Sequence, residues 1–120
     1  MQDAPRLVVL DRLLPGEPAD PAPDNILFGN PRARVANQYA DAGGEFFCGL
    51  WQGTRGRWRV RYTEHEFCVI LEGKVCLEAS GGERHEFRAG DAFVVPAGFT
   101  GSWEVVEDCR KWYAIFEPRT

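Results

Sequence analysis

Histidine is scarce in this chain of 120 residues, which holds only His65 and His85. A catalytic zinc site draws on three protein ligands and one open position, so imidazole alone cannot furnish one here. The four cysteines, Cys48, Cys68, Cys76 and Cys109, have no CxxC spacing. In a reducing compartment they read as small buried hydrophobes rather than as disulfides or a zinc clasp. A basic excess is missing too. The net charge is −4, which argues against nucleic acid or an anionic membrane as partner. The arginines from Arg55 to Arg61 read as a solvated strand face. No apolar run has the length of a membrane span. The opening "MQDAPRLVVLDRLL" lacks a basic start and is interrupted by Asp11 and Arg12, so no signal peptide is expected and a cytoplasmic location is.

Glycine, proline and short apolar runs are abundant instead, which favours strands over helices. Residues 1–44 read as an arm packing on the barrel or on a partner subunit, because "LPGEPADPAPDN" carries Pro15, Pro18, Pro21 and Pro23 and cannot form a regular element. Residues 45–120 read as one all-β barrel. Eight strand-length pieces follow one another there, "EFFCGLWQG", "RWRVRYT", "EFCVILEG", "KVCLEAS", "RHEFRA", "AFVVPAG", "TGSWEVVE" and "RKWYAIFE". Turn signals at Gly53 with Gly56, Gly73, Gly81–Gly82, Gly90–Asp91 and Pro96–Gly98 separate them.

Alternation sets the facing. Arg57, Arg59 and Arg61 look outward, whereas Trp58, Val60 and Tyr62 look inward, with Glu64 and Glu66 following if the turn keeps parity. Strand 66–71 is apolar on both faces, which predicts cover on both sides from the arm or a second subunit, and hence a homodimer. His65 has the opposite parity to Glu66 and reads as a surface residue, as does His85.

Two stretches resemble the motifs of the cupin superfamily. Metal-binding cupins carry Gly, two His one residue apart, a Glu, and a Gly seven positions after that Glu; Glu66 and Gly73 match the last two places. The two His places hold Val60 and Tyr62. The second motif matches at Gly90, Pro96 and Gly98, while its His place is Gly101 and its Asn place is Val105. "YTEHEFCVILEG", "AGDAFVVPAGFTGSWEV" and "RKWYAIFEP" together look like the cupin subgroup named after ureidoglycine aminohydrolase. The resemblance covers roughly residues 45 to 117 and implies a double-stranded β-helix, or jelly-roll, barrel. It also implies a metal-dependent hydrolase, for which three of the four ligands are absent.

The chemistry that remains centres on Glu66. A carboxylate facing an apolar barrel is costly unless paired, hydrogen-bonded or protonated. Its candidate partners are the Tyr62 hydroxyl, the Trp103 indole N–H and Lys111, which shares parity with Tyr113. Glu66 and Lys111 are expected to meet inside the barrel. Tyr62, Glu64, Glu66, Cys68, Trp103, Lys111 and Tyr113 are therefore the candidate ligand-binding residues for a small polar molecule of the amide, ureido or carboxylate kind. Trp51, Phe99 and Trp103 are candidates for its rim. Cys68 lacks a histidine base and reads as packing. No tightly bound cofactor is expected, and a weak divalent site at Glu66, with Glu64, Cys68 and water, stays open. The residues do not specify a reaction, and a non-catalytic barrel used for dimerisation or regulation, its pocket filled by side chains, is the other alternative.

Overall fold

Two long antiparallel strands organise the molecule, β6 (His65–Ala79) and β9 (Thr100–Phe116), paired from His65↔Phe116 to Ala79↔Gly101. The computed structural model describes residues 4–119. The other strands are β1 (Glu17–Pro18), β2 (Ile26–Gly29), β3 (Ala33–Ala40), β4 (Phe46–Gly53), β5 (Gly56–Arg61), β7 (Arg84–Arg88) and β8 (Ala92–Val95). Each long strand serves two half-sheets. The first half of β9 pairs with β5 and β5 with β2, while the second half of β6 pairs with β7. The second half of β9 pairs with β4, β4 with β3 and β3 with β1, while the first half of β6 pairs with β8. The result is a curled antiparallel sheet folded onto itself, an all-β jelly-roll barrel.

The crease lies where the β6–β9 register shifts repeatedly, between Ile70 and Val75. Gly73 sits there at φ 87°, and a Cβ on it would strike the Asp108 carbonyl of β9. A glycine is thus required, but at a bend within one strand rather than at a turn between two. The eight expected pieces accordingly form six strands, β4 to β9, because two pairs of pieces run on through creases. Between the half-sheets pack Cys68, Ile70, Val75, Leu77, Val95, Trp103, Val105 and Cys109. All four cysteines are free thiols.

Within the proline-rich N-terminal region, Ala33–Ala40 is a full strand, paired with β4 from Ala33↔Gly53 to Ala40↔Phe47. The preceding residues lie along the same barrel. Asp11 and Gln38 exchange two hydrogen bonds, of 2.6 and 2.9 Å. Arg34 donates to the carbonyls of Pro15 and Gly16 at 3.0 and 2.9 Å, and Arg110 donates to that of Arg12. Gly16, at φ 74°, rests so close to β3 that a Cβ would come 2.5 Å from the Val35 oxygen.

Within the chain, the arm does not cover the outer face of strand 66–71. Its outward Phe67 is 47% exposed, because the arm is tied to β3 and Arg110 and leaves this part of the sheet open. Phe67 lies in a cross-strand row, Val94–Phe67–Ala114–Cys48–Tyr39, that spans five strands. The adjacent row is His65–Phe116–Phe46. Neither row contains a carboxylate, a lysine or an arginine.

Candidate functional site

The inward face of the same half-sheet, closed by β5 and the first half of β9 from the other, builds a hollow of about 280 Å³. β5 and the bend after it supply Trp58, Val60 and Tyr62; β6 supplies Glu66; β9 supplies Trp103, Lys111, Tyr113 and Ile115; β3 and β4 add Val35, Phe47 and Trp51. The two-residue alternation explains this: Glu66 pairs with Ile115 while Cys68 pairs with Tyr113 and Ile70 with Lys111, so all point to one side.

An ion pair closes the floor. The Lys111 ammonium donates to Glu66 Oε2 at 2.9 Å and to Cys68 Sγ at 3.4 Å. It also lies 4.0 Å from the Trp103 ring centroid and 5.0 Å from that of Trp51, a cation–π arrangement on two faces. Lys111 is 3% exposed and Glu66 7%. Burial alone would raise the Glu66 carboxyl, but the adjacent ammonium outweighs it and holds the group below its ordinary range. Burial alone would lower Lys111, and Glu66 reverses this so that it titrates above its ordinary value. Both shifts have the sign of a charged, mutually stabilised pair. The Tyr62 hydroxyl stands beside Glu66 and is held in its protonated form, first by burial and then by that carboxylate. The Tyr113 hydroxyl donates to Asn37 Oδ1 at 2.7 Å, and burial pushes it up to about 12.

The structure therefore brings Tyr62, Glu66, Trp103, Lys111 and Tyr113 around one hollow. Cys68 lies beneath it, touching Lys111 but not lining the wall. Burial pushes its thiol up to about 12 despite the nearby ammonium, so no thiolate nucleophile is on offer at neutral pH. Glu64 does not line the hollow. The chain leaves β5 at Arg61 and enters β6 at His65, so strand parity does not carry through the bend, and Glu64 instead accepts from Thr63 Oγ1 at 2.8 Å. The role of Trp103 also differs from expectation. Its indole Nε1 is buried with no hydrogen-bond partner, and it meets the cluster with its ring face. Phe99 is not part of the lining; it packs edge-on against Tyr62 at 6.2 Å. Val35 and Asn37 were hidden in the N-terminal region, although "ARVANQYA" has the length and the glycine- and proline-free composition of a strand.

The residues do not fit the metal that metal-binding cupins hold. Among the described residues, no three His, Cys, Asp or Glu side chains cluster to grip an ion. His65 is exposed, its Nδ1 accepting from the Ala97 N–H at 3.1 Å. His85 pairs with Glu83 at 3.0 Å. At the second motif's histidine place, a Cβ on Gly101 would run into the Glu78 carbonyl oxygen, so this backbone admits no ligand side chain there. The cation beside Glu66 is the lysine's own.

Residues 40–113 match the EutQ-like cupin domain, and the chain belongs to that family. Among solved structures it is similar to a protein of unknown function of the DUF861 family from Pseudomonas syringae pv. tomato (TM-score 0.80, 28% identity), covering 88% of this chain and 46% of that one. A DUF861 family protein from Thermotoga maritima is 33% identical with TM-score 0.52, over 53% of this chain and 73% of that one. The Clostridium difficile EutQ protein has TM-score 0.64 at 12% identity, over 72% of this chain and 64% of that one, and so shares the fold. The chain thus spans less than half of the Pseudomonas relative and under two thirds of EutQ. Comparison with curated proteins finds no match. No helix among the described residues is long and apolar enough to cross a membrane.

Proposed function

We propose that this cupin binds a small polar molecule, of the amide, ureido or carboxylate kind, inside its barrel. The observation that supports the reading is the ion pair at the floor of the hollow. A buried salt bridge is a poor stabiliser, since well-packed apolar residues of like volume serve as well or better. A barrel kept only for its fold has no use for one facing about 280 Å³ of space. Converging polar groups in a concave, largely aromatic pocket are what a ligand site requires. The test is thermal shift over small amides, ureido compounds, carboxylates and amines, because a ligand that prefers the folded state raises its melting temperature. A hit whose effect persists after Trp58→Ala and Tyr62→Ala, which remove two walls of the hollow, would place binding elsewhere.

The alternative is a metal-dependent hydrolase of the ureidoglycine aminohydrolase kind. It requires near-stoichiometric manganese or zinc in protein purified without chelator, which elemental analysis decides.

A homodimer through the outer face is the second part of the reading. The exposed apolar rows carry no charge to repel a copy of themselves across a two-fold axis. The chain exposes 7711 Å², whereas a folded protein of 13.5 kDa exposes about 6,500 Å². The extended arm, where Leu7, Val9 and Leu13 are almost fully exposed, supplies part of that surplus, and the whole exceeds the roughly 800 Å² that each partner of a standard interface buries. Light scattering should give a dimer, and Phe67→Glu a monomer. A monomer for the native chain at about 100 μM, far above ordinary dimer dissociation constants, would end this part.

A further inference from the structure

Not every polar group around the hollow is free to meet a ligand, and counting the free ones narrows the ligand's chemistry. Lysine has three N–H donors and no acceptor. On Lys111 two are taken by Glu66 Oε2 and Cys68 Sγ. The ammonium is otherwise enclosed by the rings of Trp103 and Trp51 at 4.0 and 5.0 Å, and 3% of the residue is exposed. The barrel's internal cation is spent. Two further donors on the floor are engaged or sealed. Tyr113 gives its proton to Asn37 and the Trp103 N–H is closed off from the hollow, while the Tyr62 hydroxyl, beside Glu66, stays a neutral group.

Acceptor capacity remains. A carboxylate has about four lone-pair sites, and Lys111, Tyr62 and Cys68 take at most three of those on Glu66. The Tyr113 oxygen, having donated, can still accept. Of the groups lining the hollow, the donors that remain are neutral: the Tyr62 hydroxyl and the indole N–H groups of the half-buried Trp51 and Trp58. An arriving anion would meet a carboxylate with no free cation to answer it. An arriving cation would meet a carboxylate already neutralised, beside an ammonium of like sign that already occupies two indole faces. A neutral molecule meets neither objection, and the aromatic walls suit a flat one.

We propose that the hollow selects a neutral, flat ligand that donates an N–H or O–H hydrogen bond to Glu66, and that it discriminates against carboxylates and amidinium-type cations. The recognition group is then Glu66, with Lys111 as the residue that positions and neutralises it. This inference rests on the reading of the barrel as a small-molecule site.

Benzamide, benzoate and benzamidine share a ring and a trigonal head group and differ in charge, being neutral, anionic and cationic at pH 7. Each is titrated into the full chain, with tryptophan fluorescence and melting temperature as readouts, since Trp51, Trp58 and Trp103 line the hollow. Benzamide is expected to bind at least tenfold more tightly than the other two. Equal or tighter binding of benzoate or benzamidine overturns the charge selection while leaving the hollow a ligand site. Silence from all three up to about 10 mM, the weak end of fragment affinity, overturns the small-molecule reading itself. The double variant E66L/K111M, which leaves no unpaired charge behind, should lose at least tenfold in benzamide affinity. Unchanged affinity there would show that Glu66 is not the recognition group.

Discussion

The two faces of the half-sheet β3–β4–β9–β6–β8 are built on opposite plans. The inner one holds a carboxylate, an ammonium and the Tyr113 hydroxyl, facing the aromatic side chains of β5 and the bend after it, whereas the outer one holds exposed Phe46, Phe67, Val94 and Phe116. An antiparallel sheet usually turns its apolar face to the core and its polar face to water. Here the inner polarity is compensated within the chain, by Lys111 and Glu66, and the outer apolarity is not compensated by anything in the chain. Under the proposed function, the inward polarity would meet a small molecule and the outward apolarity a second copy of the chain.

Removing one member of the inner pair should have the largest effect. Glu66→Gln strands the Lys111 ammonium and should cost about 3–5 kcal/mol in urea unfolding. The paired replacement E66L/K111M should recover most of that loss, because no charge is left unmatched. If the double variant were as unstable as the single one, the two side chains would not be acting as a pair.

The same pair should shape the pH dependence. Glu66 is held below its unfolded value of 4.5, so its contribution is present above that pH and is lost as pH falls through the folded value. Lys111 is held above its unfolded value of 10.5; its contribution is complete below that pH and is lost as pH rises through the folded value. Unfolding measured across pH should show a plateau between these limits in the native chain. In E66L/K111M, that part of the fall at both ends should be missing.

Smaller effects sharpen the contrast. Tyr113→Phe removes the hydrogen bond to Asn37 and should cost about 1 kcal/mol, since Asn37 is exposed and can turn to water. Phe67→Thr on the outer face should change the stability of dilute protein by less than about 0.5 kcal/mol, as surface substitutions usually do. Its effect should instead appear in light scattering, as a weakened dimer.

Much of this inner face was legible in the sequence because it follows two-residue alternation along unbroken strands. Glu66 with Cys68, and Lys111 with Tyr113, share a side by counting alone. Counting fails where the strand does: the bend after Arg61 turns Glu64 out of the hollow. Gly73 was ambiguous because its left-handed φ suits a turn and a crease equally. The use of Trp103 as a ring face rather than an N–H donor depends on side-chain orientation, which spacing does not encode. β3 was obscured by the prolines that precede it, though Ala33–Ala40 itself holds none.

Carbon-13 NMR of the Glu66 carboxyl across the acid range, assigned against E66L/K111M, reaches the root of the matter. It should titrate below 4.5 and be fully ionised at neutral pH beside a charged lysine. A carboxyl still protonated near pH 7 would mean that the barrel encloses no ion pair.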